Sequence, residues 1–225
     1  MNPTEATHLR LCSIAAFLVP ALALWLPSGY AWGTGLLLVA AVLGGPYWWR
    51  WPVAPATRWL AAAIFLMALV WLHGSDWSKG VSVLNKPVRY LLVLPCLLYL
   101  MRFPPQLRFI LAGIAVGAAC GGLRALYEVF ILGLDRPWTS AEKTSGAIQL
   151  GNLCGMFGVM CLLQLIVYGP RWRWPLRLTV LVLCGLGLLG SLLSQTRGGW
   201  LAIGLCLPLL FWLIWRWVSR RRAVL

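Results

Sequence analysis

Arg197 is the side chain around which a chemical reading of this sequence begins. It sits in Ser194-Gln195-Thr196-Arg197-Gly198-Gly199-Trp200, between the apolar runs 176–193 and 200–215. An arginine that opens an apolar helix costs solvation free energy, and a bound anion or a water-filled cavity is the usual reason one persists there. A helix start adds free N–H groups and the positive end of the dipole. Together these could hold phosphate or pyrophosphate at a membrane surface. The simpler alternative is an arginine that snorkels to the interface. A second cationic site opens at Asn85-Lys86-Pro87-Val88-Arg89-Tyr90. Asn85 can cap a helix there and Pro87 suits its first turn. Lys86 and Arg89, three apart, share a helix face; interfacial anchoring would use the same pattern.

Arg124 and Glu128 lie four apart, which places them on one face of a long apolar run. They read either as a self-neutralising pair or as the lining of a cavity, with Glu128 orienting Arg124 toward a ligand phosphate or acting as a weak acid or base. The stretch from Asp135 to Gly146 is the most polar loop and leads into Gln149 and Asn152, which share a face of the next helix. Polar groups with an exposed Trp138 suit carbohydrate contact and equally an ordinary solvated loop.

The elements that must position these groups are membrane helices. The chain is 61% hydrophobic and carries 15 tryptophans. A soluble domain of this length would need far more polar surface. The apolar runs have the length of helical spans and lack the alternation of barrel strands. Eight spans are expected, at roughly 10–27, 30–47, 58–73, 87–102, 107–132, 147–168, 175–193 and 198–218. The fold class is therefore all-α, a polytopic integral membrane protein forming one transmembrane domain over 1–225. Gly and Pro punctuate the gaps, as at Pro27-Ser28-Gly29 and Pro104-Pro105. Pro20, Pro95 and Pro208 fall within spans. The fifth span is expected to break at Gly121-Gly122.

Basic residues orient the spans. With the N-terminus in the cytoplasm, Arg10, Arg50, Arg58, Arg102, Arg108, Arg171, Arg173, Arg177, Arg216, Arg220, Arg221 and Arg222 face inward, 12 of the 19 basic residues. Lys79, Lys86, Arg89, Arg136, Lys143 and Arg197 face outward, with Arg124 buried nearby, and four of the five acids lie on or near that side: Asp76, Glu128, Asp135 and Glu142. Both termini are then cytoplasmic. The net charge of +14 reads as topology and anionic lipid, with no nucleic-acid partner. Tryptophans at 48, 49, 51, 172, 174, 212, 215 and 217 fit an inner interfacial belt. The first span reads as a retained anchor, because no small-x-small cleavage site follows Leu26. The seven cysteines lie singly in apolar spans and suit packing. His8 falls in the N-terminal tail and His73 near Asp76, and no His, Cys and carboxylate cluster resembles a metal site.

The run Ser-x-x-Arg-Gly-x-Trp-Leu-Ala from Ser194 to Ala202 resembles the signature of the O-antigen ligase and O-antigen polymerase superfamily. Leu84 to Leu92 resembles the ligase pattern at the start of the fourth span, and Gly146 to Asn152 is similar to the stretch entering the sixth. The resemblance implies a membrane-embedded, metal-independent glycosyltransferase of the bacterial inner membrane that needs no cofactor. Its donor would be a glycan on undecaprenyl diphosphate and its acceptor a sugar of the lipid A core on the periplasmic face. It makes Arg197 the candidate catalytic residue. Lys86 or Arg89 joins Arg197 at the donor diphosphate, Arg124 is a further candidate cation, and Glu128, Gln149 and Asn152 give support. Preorganised cations would stabilise the negative charge growing on the leaving group. Asn85 stands where many relatives carry an acid.

Members of that superfamily have about a dozen spans and a large periplasmic loop bearing a further Arg and a His regarded as the catalytic base. The resemblance therefore covers about the first half of such a protein. The expectation is a chain with donor-binding features and little transferase activity alone, either truncated or completed by a second polypeptide. A polymerase and a protein-targeted oligosaccharyltransferase are rivals within the superfamily. A small transporter, which would need internal repeats, and a structural membrane subunit are rivals outside it.

Overall fold

In the computed structural model the described residues are 3–26, 28–45, 54–74, 83–137 and 145–222. The side chains of Ser145, Asn85 and Lys86, and those of many residues late in the last helix, lie outside that description. So do Trp48, Trp49, Arg50, Trp51, Asp76, Lys79 and residues 138–144, and the side chains of Arg216, Trp217, Arg220, Arg221 and Arg222.

Eight α-helices account for the described chain: α1 (Pro3–Ala23), α2 (Tyr30–Leu43), α3 (Pro55–His73), α4 (Asn85–Arg102), α5 (Leu107–Leu126), α6 (Ser145–Tyr168), α7 (Trp174–Leu193) and α8 (Arg197–Arg222). No strand occurs among the described residues. A π turn, Tyr127–Ile131, extends α5, and a 3-10 turn, Gly169–Arg171, joins α6 to α7. Among the described residues five helical stretches are long and apolar enough to cross a membrane: Thr4–Ala23, Pro55–His73, Leu107–Ile131, Gly146–Arg171 and Trp174–Leu193.

The distribution of side chains makes the same point. Large apolar residues face outward in every helix, with Trp59 77%, Leu43 76% and Leu205 71% exposed. The buried side of α5, by contrast, is built almost wholly from small residues. In α5 the buried positions include Gly113, Ala115, Gly117, Ala118, Ala119, Gly121, Gly122 and Ala125. Water would not tolerate such an exterior. Lipid does, because helix association there relies on close packing of small residues. The protein is an all-helical, membrane-embedded one.

The contacts group the chain into two compact units. The first comprises Met1–Val19 and Tyr30–Ile110, the second Pro20–Gly29 and Leu111–Leu225. In the first, α4 packs against α2 and α3, and the core gathers Cys12, Ala15, Leu37, Ala40, Cys96, Tyr99 and Phe103. In the second, α6 packs along α7 and against α8. Glycines set the spacing of α5 and α7: a Cβ at Gly122 would overlap the Leu186 carbonyl of α7, and one at Gly187 would stand 3.0 Å from the Ala118 side chain of α5.

Three local expectations are corrected. Helix α5 runs unbroken through Gly121 and Gly122, because both are packed against neighbours instead of exposed at a bend; its irregularity falls later, in the π turn. His8 lies inside α1, whose helix begins seven residues before the expected span. It hydrogen-bonds the buried Tyr99 hydroxyl and stacks on Phe103 at 4.9 Å. Leu84 holds the N-cap position of α4 without a side-chain cap bond, and Asn85 is the first helical residue instead of the cap.

Candidate functional site

The turn between α7 and α8 is fixed by its own polar groups. Ser194 Oγ donates to the Ser191 carbonyl at 2.7 Å, and the Ser194 and Thr196 hydroxyls lie 2.8 Å apart. Trp200 Nε1 reaches back to the same Ser191 carbonyl at 3.2 Å. Gln195, between the hydroxyls, has φ +54, a left-handed conformation that costs a side-chain-bearing residue about 1–2 kcal/mol. Gly151 of α6 lets that knot seat against the helix, since a Cβ there would overlap both hydroxyl oxygens. Arg197 then stands as the first residue of α8, exposed, with no hydrogen bond or ion pair to its side chain among the described residues.

A second segment grips this turn, which local sequence patterns do not reveal. Arg136 Nε donates to Gln195 Oε1 at 3.3 Å, and Gln195 Nε2 donates to the Asp135 carbonyl at 3.3 Å. Pro137, next in the chain, is fully buried. The segment after α5 is thereby tied to the turn that presents Arg197, and a second guanidinium is brought beside it. The contact spans about sixty positions; its only local trace is the string of polar types at 194–196.

Asn152 lies at the same end. Its Oδ1 faces Gly199, where an added Cβ would stand 2.9 Å away. Asn152, Gly198 and Gly199 form the head of a cavity of about 650 Å³ between α6 and α8, continued by Met156, Val159, Met160, Leu163, Ile203, Cys206 and Leu209. From Asn152 to Leu163 this groove follows the helices for about 16 Å. Its head is polar and its length apolar. Gln149 is exposed one turn earlier on α6.

Arg124 and Glu128 meet as expected, with Nε to Oε1 at 2.8 Å. Arg124 Nη1 also donates to the Trp25 carbonyl at 2.7 Å, which ties α5 to the turn following α1. Glu128, 5% exposed, sits in the π turn. The pair lines a cavity of about 580 Å³ with Trp25, Leu123 and Tyr127. The pair is thus self-neutralised and also lines a cavity.

Lys86 and Arg89 belong to the first unit, in the opening turns of α4. Arg89 Nη1 donates to the Tyr30 hydroxyl at 2.8 Å in an exposed position. The second unit contains Arg124, Glu128, Gln149, Asn152 and Arg197, and within it Asn152 and the head of α8 are in contact. Among the described residues no group of three His, Cys, Asp or Glu side chains is placed to hold a metal ion.

No protein-family profile matches the chain, and no solved structure matches it. The chain is similar to a protein of Haemophilus influenzae that carries the description "uncharacterized protein", at 25% identity over 147 residues. The match takes in 65% of this chain and 36% of that protein, so the chain spans about a third of the relative's length.

Proposed function

We propose that this chain binds the diphosphate of a polyprenyl-linked glycan at the outer face of the bacterial inner membrane, as the donor-binding part of an O-antigen ligase-like glycosyltransferase. Eight spans with both termini cytoplasmic make up the topology of this reading. It puts the starts of α4, α6 and α8 on the periplasmic side. The observation that carries the proposal is Arg197: an exposed guanidinium at the first residue of α8, without a protein counter-charge among the described residues, and next in the chain to Gly198 and Gly199, which line the head of an apolar groove. An amphiphile with an anionic head and a long hydrocarbon tail complements that combination. The N–H groups that open α8 and the nearby Arg136 add to the attraction for an anion.

In the transfer reaction the bond between the glycan's anomeric carbon and the diphosphate breaks, and the diphosphate leaves with increased negative charge. Arg197 stabilises that charge, and Lys86 or Arg89 is the further cation that the resemblance implies. Asn152 and Gln149 orient the head group at the start of α6. The acceptor is a sugar hydroxyl of the lipid A core. Its proton needs a base, and Glu128, already paired with Arg124, is a weak one. The activity assigned here is therefore donor binding.

The test is binding of undecaprenyl diphosphate to the full chain in lipid nanodiscs, read by native mass spectrometry. The wild type binds, and Arg197→Ala weakens binding by about tenfold to a hundredfold, the worth of a charge-assisted hydrogen bond. Equal binding by the two proteins sinks the assignment.

A further inference from the structure

We propose that the cavity beside Arg124 and Glu128 is a sugar subsite, receiving a neutral pyranose ring of the lipid-linked glycan; this rests on the donor-binding reading above. Three features of the second unit carry it. The first is charge. Arg124 lies 2.8 Å from Glu128 and is tied to the Trp25 carbonyl, so the floor of the cavity has no net charge. A phosphate there would meet a carboxylate as closely as a guanidinium. A hydroxyl, both donor and acceptor, suits a floor that offers N–H donors and carboxylate acceptors side by side.

The second feature is the rim. Trp25 and Tyr127 line the same cavity and are 49% and 55% exposed. Each supplies a flat apolar face with a polar edge, the surface that the C–H face of a pyranose covers while its hydroxyls reach the floor. The third is the backbone. The α-helical pattern of α5 gives way at Tyr127 to a π turn, closed by the Leu132 N–H on the Tyr127 carbonyl at 3.1 Å. Such insertions recur at functional sites. This one begins at the rim aromatic and carries the floor carboxylate. A pair kept only to anchor the turn after α1 would need none of this, since a neutral side chain could cap the Trp25 carbonyl without burying two charges. At about 580 Å³ the cavity lies within the usual range for small-molecule sites.

The experiment compares two probes on the full chain in nanodiscs: undecaprenyl diphosphate, and the same lipid bearing one N-acetylhexosamine. The wild type is expected to bind the sugar-bearing lipid about tenfold more tightly, a difference of about 1.4 kcal/mol. Trp25→Ala removes that preference and leaves the affinity for the bare lipid unchanged. The Trp25 ring is half exposed and its carbonyl stays in place, so the bond to Arg124 survives the substitution. Tyr127→Phe keeps the preference and Tyr127→Ala reduces it. Failure of the two readings is distinguishable. Arg197→Ala weakening both probes, with Trp25→Ala and Tyr127→Ala weakening neither selectively, overturns the sugar subsite and leaves donor binding standing. A wild type that binds neither probe overturns both. The subsite is also overturned if phosphatidylethanolamine discs suppress the sugar preference and Trp25→Ala restores it, which would make the cavity a lipid headgroup site.

Discussion

Replacing Gln195 separates what the α7–α8 turn does for the fold from what it does for a ligand. Its φ of +54 costs about 1–2 kcal/mol with any Cβ present. Glycine removes that cost but returns about 0.4–1 kcal/mol through a more flexible unfolded chain. Gln195→Gly should therefore be more stable than Gln195→Ala by about 0.5–1 kcal/mol. Both variants lose the bonds to Arg136 and the Asp135 carbonyl, each 3.3 Å long and exposed, worth about 0.5 kcal/mol apiece. Gln195→Gly thus lands near the wild type, and Gln195→Ala about 1 kcal/mol below it. For a chain of this size that is a fall of about 2–4 °C in unfolding midpoint. Binding of undecaprenyl diphosphate tells a different story. If the grip of Arg136 on Gln195 sets the position of Arg197, both variants bind more weakly by a similar factor although only one is destabilised. Thermal unfolding in detergent alongside nanodisc binding measures both. Equal stability of the glycine and alanine variants would refute the strain argument, and undiminished binding by both would refute the positioning argument.

Other consequences are local. Gly151→Ala should cost about 1–3 kcal/mol, because its Cβ would overlap the Ser194 and Thr196 hydroxyls; Gly198→Ala, with open space around it, should leave stability within about 0.5 kcal/mol of the wild type, and paired unfolding curves compare them. Ser191 Oγ is buried without a hydrogen-bond partner among the described residues, so Ser191→Ala should be neutral or slightly stabilising by the same measurement. Tyr99→Phe removes the bond to His8 and should cost about 1 kcal/mol, while breaking the partly exposed Glu5–Arg102 pair by Glu5→Gln should cost less.

The elements were legible in the sequence because span length and apolar continuity are properties of single segments. Each of the eight expected spans falls on a helix, five of these giving stretches long and apolar enough to cross a membrane among the described residues, and Arg197 opens α8 as its position between two apolar runs implied. The Arg124–Glu128 pair was equally accessible, since four residues along a helix fix which side chains meet. What the sequence concealed is whatever depends on a distant partner. Gly121-Gly122 has the composition of a break; whether glycines bend a helix or admit a neighbour depends on what packs there, here Leu24, Cys154 and Leu186. His8 looked like a tail residue because its polar type outweighed the apolar residues after it, while its partners lie more than ninety positions away at Tyr99 and Phe103. The grip of Arg136 on Gln195 belongs to the same class. Glutamine has no particular preference for positive φ, so nothing local marked the turn as strained.

Three arginines singled out by type are sorted by their partners. Arg124 is bonded to a buried carboxylate, Arg89 to a neutral phenol, and Arg197 to no side chain among the described residues. A guanidinium already neutralised by a carboxylate has the least attraction left for a phosphate. One held by a hydroxyl keeps its full charge, and one with no partner keeps its charge and its donors. Alanine substitution should thus weaken undecaprenyl diphosphate binding in the order Arg197, then Arg89, then Arg124. Stability should follow the opposite order. Arg124→Ala removes the guanidinium bonded to the buried Glu128 carboxylate and should cost about 3–5 kcal/mol. The exposed bond lost in Arg89→Ala should cost about 0.5–1 kcal/mol, and Arg197→Ala should cost less than that. Measured together, the two series should run in opposite directions. A common order would mean that binding merely tracks folding, and that the diphosphate is held somewhere other than at Arg197.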